Sequence, residues 1–170
     1  MTSLPRGGAA NRHSSPRRRR AVAALGAVSA GLLVLSACDK PTPLATITVG
    51  KDSVHSDATC YDDGDDIGRA KATKCALKKA SKSITLHQGD TLRIGVDPEV
   101  AKTGWTLWVN GQQANNPSKK TYYAFEGIDL FAPQQGQPAP DKLYVSIVEQ
   151  DKTGQKYKGV WNFQLKNGDA

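Results

Sequence analysis

The chain has 170 residues, with 23 Lys and Arg against 16 Asp and Glu and a formal charge of +7, and such a length fits one domain with a short appendage. Six arginines (positions 6, 12, 17, 18, 19 and 20) fall in residues 1–38, which hold no acid, so residues 39–170 carry seventeen bases against sixteen acids. The basicity belongs to the N-terminus, which excludes a large basic nucleic-acid-binding domain; a single apolar run excludes a multi-spanning membrane protein.

In chain order, residues 1–20 are polar and end in Arg17-Arg18-Arg19-Arg20, and residues 21–37 are uncharged and rich in Ala, Val, Leu and Gly. A positive segment, a short apolar segment and small residues before a cleavage point make a secretory signal, with the arginines held on the cytoplasmic side. The apolar run is at the lower limit for a spanning helix and stops at Asp39-Lys40-Pro41. Leu35-Ser36-Ala37-Cys38 resembles the lipobox of bacterial lipoproteins. The resemblance implies a diacylglyceryl group on the Cys38 thiol and cleavage just before it. A thiolate suits that alkylation, and two acyl chains anchor stably where one is marginal. The expected organisation is a signal peptide over 1–37, a lipidated Cys and tether over 38–44, and a domain over 45–168. The expected location is the extracytoplasmic face of the cell membrane. Expected partners are the membrane, through the anchor, and an extracytoplasmic or envelope protein, with no nucleic acid. The export route stays open between the general and twin-arginine pathways.

Acylation of Cys38 would leave Cys60 and Cys75, fifteen residues apart. An even number of cysteines in an exported protein favours a disulfide, whose loop contributes roughly 3 kcal/mol. Metal binding lacks partners, because the histidines beyond the signal are His55 and His87 alone and no Cys-x-x-Cys pair is present.

Ala45–Val49 alternates and is β-branched, so it reads as a strand. Asp62-Asp63-Gly64-Asp65-Asp66 precedes an Ala- and Lys-rich stretch that predicts a helix near Asp66–Ala80, with the aspartates capping its start and Lys78, Lys79 and Lys82 suiting its end. Cys75 falls on that helix. Strands follow at Ser83–Leu86, Thr91–Val96, Trp105–Val109, Thr121–Phe125, Leu143–Val148 and Gly159–Leu165, with a loop from Asp97-Pro98 to Thr103-Gly104 and a turn at Asn110-Gly111. About seven short strands separated by turn signals predict a mainly β fold, an Ig-like antiparallel sandwich with one inserted short helix.

Catalytic motifs are missing from the sequence: there is no Gly-x-Ser-x-Gly, no His-Glu-x-x-His and no phosphate loop. His55 and His87 read as solvated loop residues, and Glu99, Glu126 and Glu149 each stand alone. No catalytic residue and no cofactor are therefore expected. The aspartates fail as an EF-hand, since placing Gly64 sixth puts Thr59 first and no Glu twelfth. A copper site lacks its methionine, because the sole Met is Met1. Trp105 and Trp161 share a phase with aliphatic neighbours and read as core. Trp108 points the other way. Exposed, it would mark a partner surface; the cost of leaving tryptophan bare favours burial under the inserted helix.

Ile84-Thr85-Leu86, Leu92-Arg93-Ile94-Gly95-Val96-Asp97-Pro98, Gly104-Trp105-Thr106-Leu107-Trp108-Val109-Asn110-Gly111, Val145-Ser146-Ile147-Val148-Glu149-Gln150 and Gly159-Val160-Trp161 together resemble a family of small actinobacterial membrane lipoproteins built on a domain of unknown function. That resemblance implies location and fold, not mechanism; the signal, the lipobox and the lack of catalytic groups make a non-catalytic binding or scaffolding role the expectation. Gly89-Asp90-Thr91-Leu92-Arg93-Ile94 and Thr103-Gly104-Trp105 are similar to chagasin-type inhibitors of papain-like proteases. This second resemblance implies an Ig-like sandwich with Thr103 and Gly104 on a partner surface, to which Trp108 would add if exposed. The loop here begins Asp97-Pro98-Glu99 and is longer than in that family, and the family's Arg-Pro-Trp loop is missing. Protease inhibition, and small-ligand binding between the sheets, are the alternatives to scaffolding.

Overall fold

Alternating apolar residues set the architecture. In the computed structural model, which describes residues 41–133 and 138–170, β1 (Ala45–Val49) buries Ala45, Ile47 and Val49, while Thr46 and Thr48 face outward. β1 pairs with β2 (Asp52–Ser56) and with β5 (Leu92–Val96), and β5 pairs with β8 (Tyr122–Phe125), all antiparallel, giving a four-stranded sheet of order β2-β1-β5-β8. A second sheet is centred on β9 (Lys142–Gln150) and β10 (Tyr157–Asn167), with β6 (Trp105–Val109) and β7 (Gln112–Gln113) beyond β9. β3 (Cys60–Tyr61) and β4 (Lys82–Leu86) both lie along the free side of β10, at Gly159–Val160 and Phe163–Asn167 respectively. The inner faces meet around Ile47, Leu92, Ile94, Trp105, Leu107, Val145, Ile147, Trp161, Phe163 and Leu165, each at most 1% exposed. The fold is mainly β, a two-sheet sandwich as expected.

Three departures from the sequence reading have physical causes. β4 runs parallel to β10, the one parallel pair described. Between β3 and β4 the chain leaves the edge of β10, forms helix α1 (Gly68–Ala76), and returns to the same edge reversed in direction, so that β3 is antiparallel to β10 and β4 parallel to it. β2 and β7 were not expected, because their residues are mostly exposed and polar and lack a buried phase. They form as hairpin partners at sheet edges, β2 after Gly50-Lys51 and β7 after Asn110-Gly111. The second turn has positive φ at both residues (48° and 81°), the geometry that the Asn-Gly signal predicts. Finally, residues 97–104 are not purely loop: a second short helix, α2 (Pro98–Thr103), starts on Pro98, whose fixed φ suits a first turn.

Helix α1 lies over the outer face of the second sheet. Its contact residues Ala72, Cys75 and Ala76 are spaced i, i+3, i+4, and their small size lets the helix approach Trp108, Val148, Tyr157 and Val160. The helix is shorter than the predicted 66–80. Outward-facing strand side chains take its last carbonyls: Ser146 Oγ donates to Ala76 O (3.2 Å), and Asn162 Nδ2 donates to Cys75 O (2.8 Å) and Lys78 O (3.0 Å). These bonds satisfy Ser146 Oγ and the Asn162 amide nitrogen, though not the buried Asn162 Oδ1, and they hold the helix end where the chain turns into β4.

At the start of α1 the aspartates are not the N-cap, which is Ile67. Asp66 instead accepts hydrogen bonds from the Gly68 and Tyr157 amides, both 2.9 Å, which hold its carboxyl below the usual range and tie the helix start to β10. Pro41–Ala170 forms one unit that contains both apolar clusters, so the domain carries its own core. Among the described residues no helix is long and apolar enough to cross a membrane.

Candidate functional site

Cys38, its preceding Leu35, Ser36 and Ala37, the signal 1–37 and the first part of the tether lie outside the described residues. The remaining part, Pro41–Leu44, runs into β1 and is held at one end of the sandwich. Pro43 O accepts the indole N–H of Trp161 (2.8 Å), and the Leu44 amide donates to Asp97 Oδ2 (2.8 Å). Cys60 and Cys75 form the expected disulfide, with Cα atoms 6.1 Å apart, joining β3 to α1.

The suggested partner surface is corrected by the packing. Trp108 is 4% exposed and lies under α1, its indole N–H donating to Thr106 Oγ1 (3.0 Å) and its ring edge-on to Tyr157. It presents nothing to a partner, in line with the expected burial. Gly104 is buried at φ 119°, and its carbonyl accepts from the Gln150 amide (2.9 Å). A Cβ there would meet Gln150 O at 2.9 Å, so the strand packs directly on this glycine. Thr103 is half-buried and its hydroxyl bonds the Glu149 carboxylate. The Thr103-Gly104 corner is sewn into the sheet rather than offered as a wedge.

Glu149 is a residue that the sequence did not single out. It is 2% exposed, opposite Trp105 on one side and Gly159 on the other, and in phase with the core residues Val145 and Ile147. Its Oε2 has no hydrogen-bond partner. Burial pushes its carboxyl above the ordinary range, against the opposing effects of the Thr103 hydroxyl and the Lys158 charge, while Glu99 adds to the rise. Tyr61, stacked obliquely on Trp161, is likewise raised, first by burial and then by Glu99, Glu149 and Asp63. The only sequence sign was an acid in a core phase of β9. The group is closed to solute, so what it can do is hold a proton.

The raised value has a testable sign. Between the ordinary Glu value and its raised folded value, the native protein retains a proton that the unfolded chain releases, so Glu149 lowers stability as pH rises through that window. Glu149→Gln is expected to gain melting temperature over the parent as pH rises above the ordinary Glu range, read by thermal denaturation at a series of pH values. An unchanged difference across the series would contradict it. Asp66, Asp151 and Asp169 are lowered, chiefly by hydrogen bonds to the Tyr157 amide, the Thr153 hydroxyl and the Gln88 amide respectively. Their contribution has the opposite sign and is lost as pH falls through their folded values.

His55 and His87 are exposed, as read, although His55 lies on β2 rather than in a loop, and His87 Nδ1 is 3.1 Å from Asp169 Oδ1. Of the aspartate run, Asp62 pairs with Lys71 at 3.6 Å. Among the described residues no three of His, Cys, Asp and Glu are placed to share a metal ion. An open concavity lies along Asn115–Lys120 and Tyr123, where the Lys120 ammonium stands 5.7 Å from the Tyr123 ring centre. Comparison with profiles of protein families, with curated proteins and with solved structures finds no match for this chain.

Proposed function

We propose that this chain is an exported lipoprotein whose β-sandwich works as a non-catalytic binding or scaffolding module at the extracytoplasmic face of the cell membrane. The observation that carries the reading is Leu35-Ser36-Ala37-Cys38, placed after an uncharged run that follows four arginines. In this reading the Cys38 thiol loses its proton, and the thiolate displaces the head-group phosphate from the glyceryl carbon of a phospholipid: the C–O bond breaks, the phosphate leaves with the electron pair, and a thioether to the diacylglyceryl group forms. Cleavage before Cys38 then leaves the sandwich on a tether of six residues, Asp39–Leu44. The Cys60–Cys75 disulfide supports an oxidising compartment. Two acyl chains provide stable anchoring, at about 0.8 kcal/mol for each buried CH2.

Metabolic labelling of the full chain with a palmitate analogue tests the reading. Label is expected on the parent chain and is expected to vanish in Cys38→Ala, with that variant released from the membrane fraction. Undiminished labelling in the variant would overturn the anchor.

A further inference from the structure

Six of the cations beyond the signal are concentrated in one short stretch. Arg69, Lys71, Lys74, Lys78, Lys79 and Lys82 are all exposed, and no acid occurs between Asp66 and Asp90. Because Ala72, Cys75 and Ala76 turn inward, Lys71 and Lys74, spaced i, i+3, lie on the outer side of α1, and Lys78 follows just past its end with Nζ 3.7 Å from Cys60 Sγ. Lys71 is partly neutralised by Asp62.

The positive surface continues beyond the helix on the same side of the second sheet. Lys142 and Lys166 are directly opposite each other on β9 and β10, in phase with the outward Ser146 and Asn162, and both are exposed. Like charges directly opposite destabilise a strand pair; Asp141 lines the same concavity as the two lysines. The outer face of the other sheet is unlike this one, with Thr46, Thr48, Gly95 and Ala124 around Arg93.

Within the cationic face stands Leu77, 65% exposed at the end of α1 between Lys74 and Lys78. Helix-dipole complementarity accounts for a cation or two near a helix end, but not for six, nor for a leucine among them that rests one side on Gly111 and leaves most of its surface in water.

We infer that the outer face of α1 is a docking surface for a bilayer of anionic phospholipid, with the cations on the headgroups and Leu77 entering the headgroup–acyl boundary. Charge complementarity selects an anionic partner. Leu77 selects a bilayer over a dissolved polyanion, since only the bilayer offers an apolar layer behind its charge. The inference uses the lipid anchor of the preceding section for proximity: the tether enters at the end of the sandwich where Asp66 ties the start of α1 to β10. The attraction itself resides in the face.

The test therefore uses the unit Pro41–Ala170, which has its own core and no anchor, so that failure of the anchor and failure of the face are read separately. Sedimentation is measured with vesicles of phosphatidylglycerol and phosphatidylcholine and with vesicles of phosphatidylcholine alone. Binding is expected to the anionic vesicles alone and to disappear at about 0.5 M salt, where screening is nearly complete. Lys74→Gln with Lys78→Gln is expected to weaken it about 25-fold, roughly fivefold per cation. Leu77→Ser is expected to weaken it about tenfold, without altering binding to soluble polyphosphate. Lys119→Gln with Lys120→Gln, on the exposed loop before β8, is the control and is expected to change little. These are surface changes, and a melting curve for each verifies folding. Equal binding to neutral vesicles, no binding to anionic ones, or equal loss in the control would overturn the inference. Polyphosphate binding that exceeds vesicle binding and ignores Leu77 would overturn it in favour of a dissolved polyanion.

Discussion

Trp161→Ala is expected to destabilise the domain by about 3–5 kcal/mol, the range for deleting a large aromatic from a packed core. Trp161 is 0% exposed in the inner layer, and its ring covers Gly159, where a Cβ would stand 2.8 Å from Cζ3. Tyr61 packs against it with ring centres 6.3 Å apart. The alanine variant loses this packing and leaves Pro43 O without its donor. Trp161→Phe separates the two effects: it keeps much of the apolar volume but orphans that carbonyl, so a smaller loss of about 1–3 kcal/mol is expected. Chemical denaturation reads both, as a lower midpoint with an unchanged slope. A loss below about 1 kcal/mol for the alanine variant would show that the indole is not the keystone of that end.

Replacing both Cys60 and Cys75 by alanine is expected to cost about 3 kcal/mol, the loop-closure contribution of a fifteen-residue separation. For a domain of this size that is a fall in melting temperature on the order of 10 °C. The sandwich should remain folded, because the larger apolar cluster between the sheets includes neither cysteine. The damage should concentrate at α1, whose buried side consists of Ala72, Cys75 and Ala76 and so provides little apolar area of its own. Amide exchange in α1 should accelerate well beyond that in β9 and β10. Uniform acceleration would mean that the bridge holds the whole sandwich rather than the helix.

What could be read from the chain divides along physical lines. The central strands were legible because one face of each is buried. Ile47, Leu92, Ile94, Leu107, Val145, Ile147, Phe163 and Leu165 repeat with the period of two that burial imposes. The disulfide followed from cysteine parity. The Asn110-Gly111 turn followed from backbone sterics, since few other residue pairs take positive φ twice. β2 and β7 were not legible, because edge strands are held by backbone pairing and need no apolar phase.

Sequence by itself thus determined the signal-like N-terminus with its Cys38 motif, the mainly β composition, which cysteines pair, and which apolar residues leave water. Only the tertiary structure decided which polar residues are buried. Glu149 lies in the core, and Asn162 and Ser146 hold the end of α1, because the helix crosses the outer face of β9 and β10 there. It likewise decided that Trp108 is covered, and that Lys71, Lys74 and Lys78 stand on the same side of the molecule as Lys142 and Lys166. Local pattern specifies which residues leave water. The partners they find depend on chain segments as much as 118 residues apart, as for Pro43 and Trp161, and no local period encodes that distance.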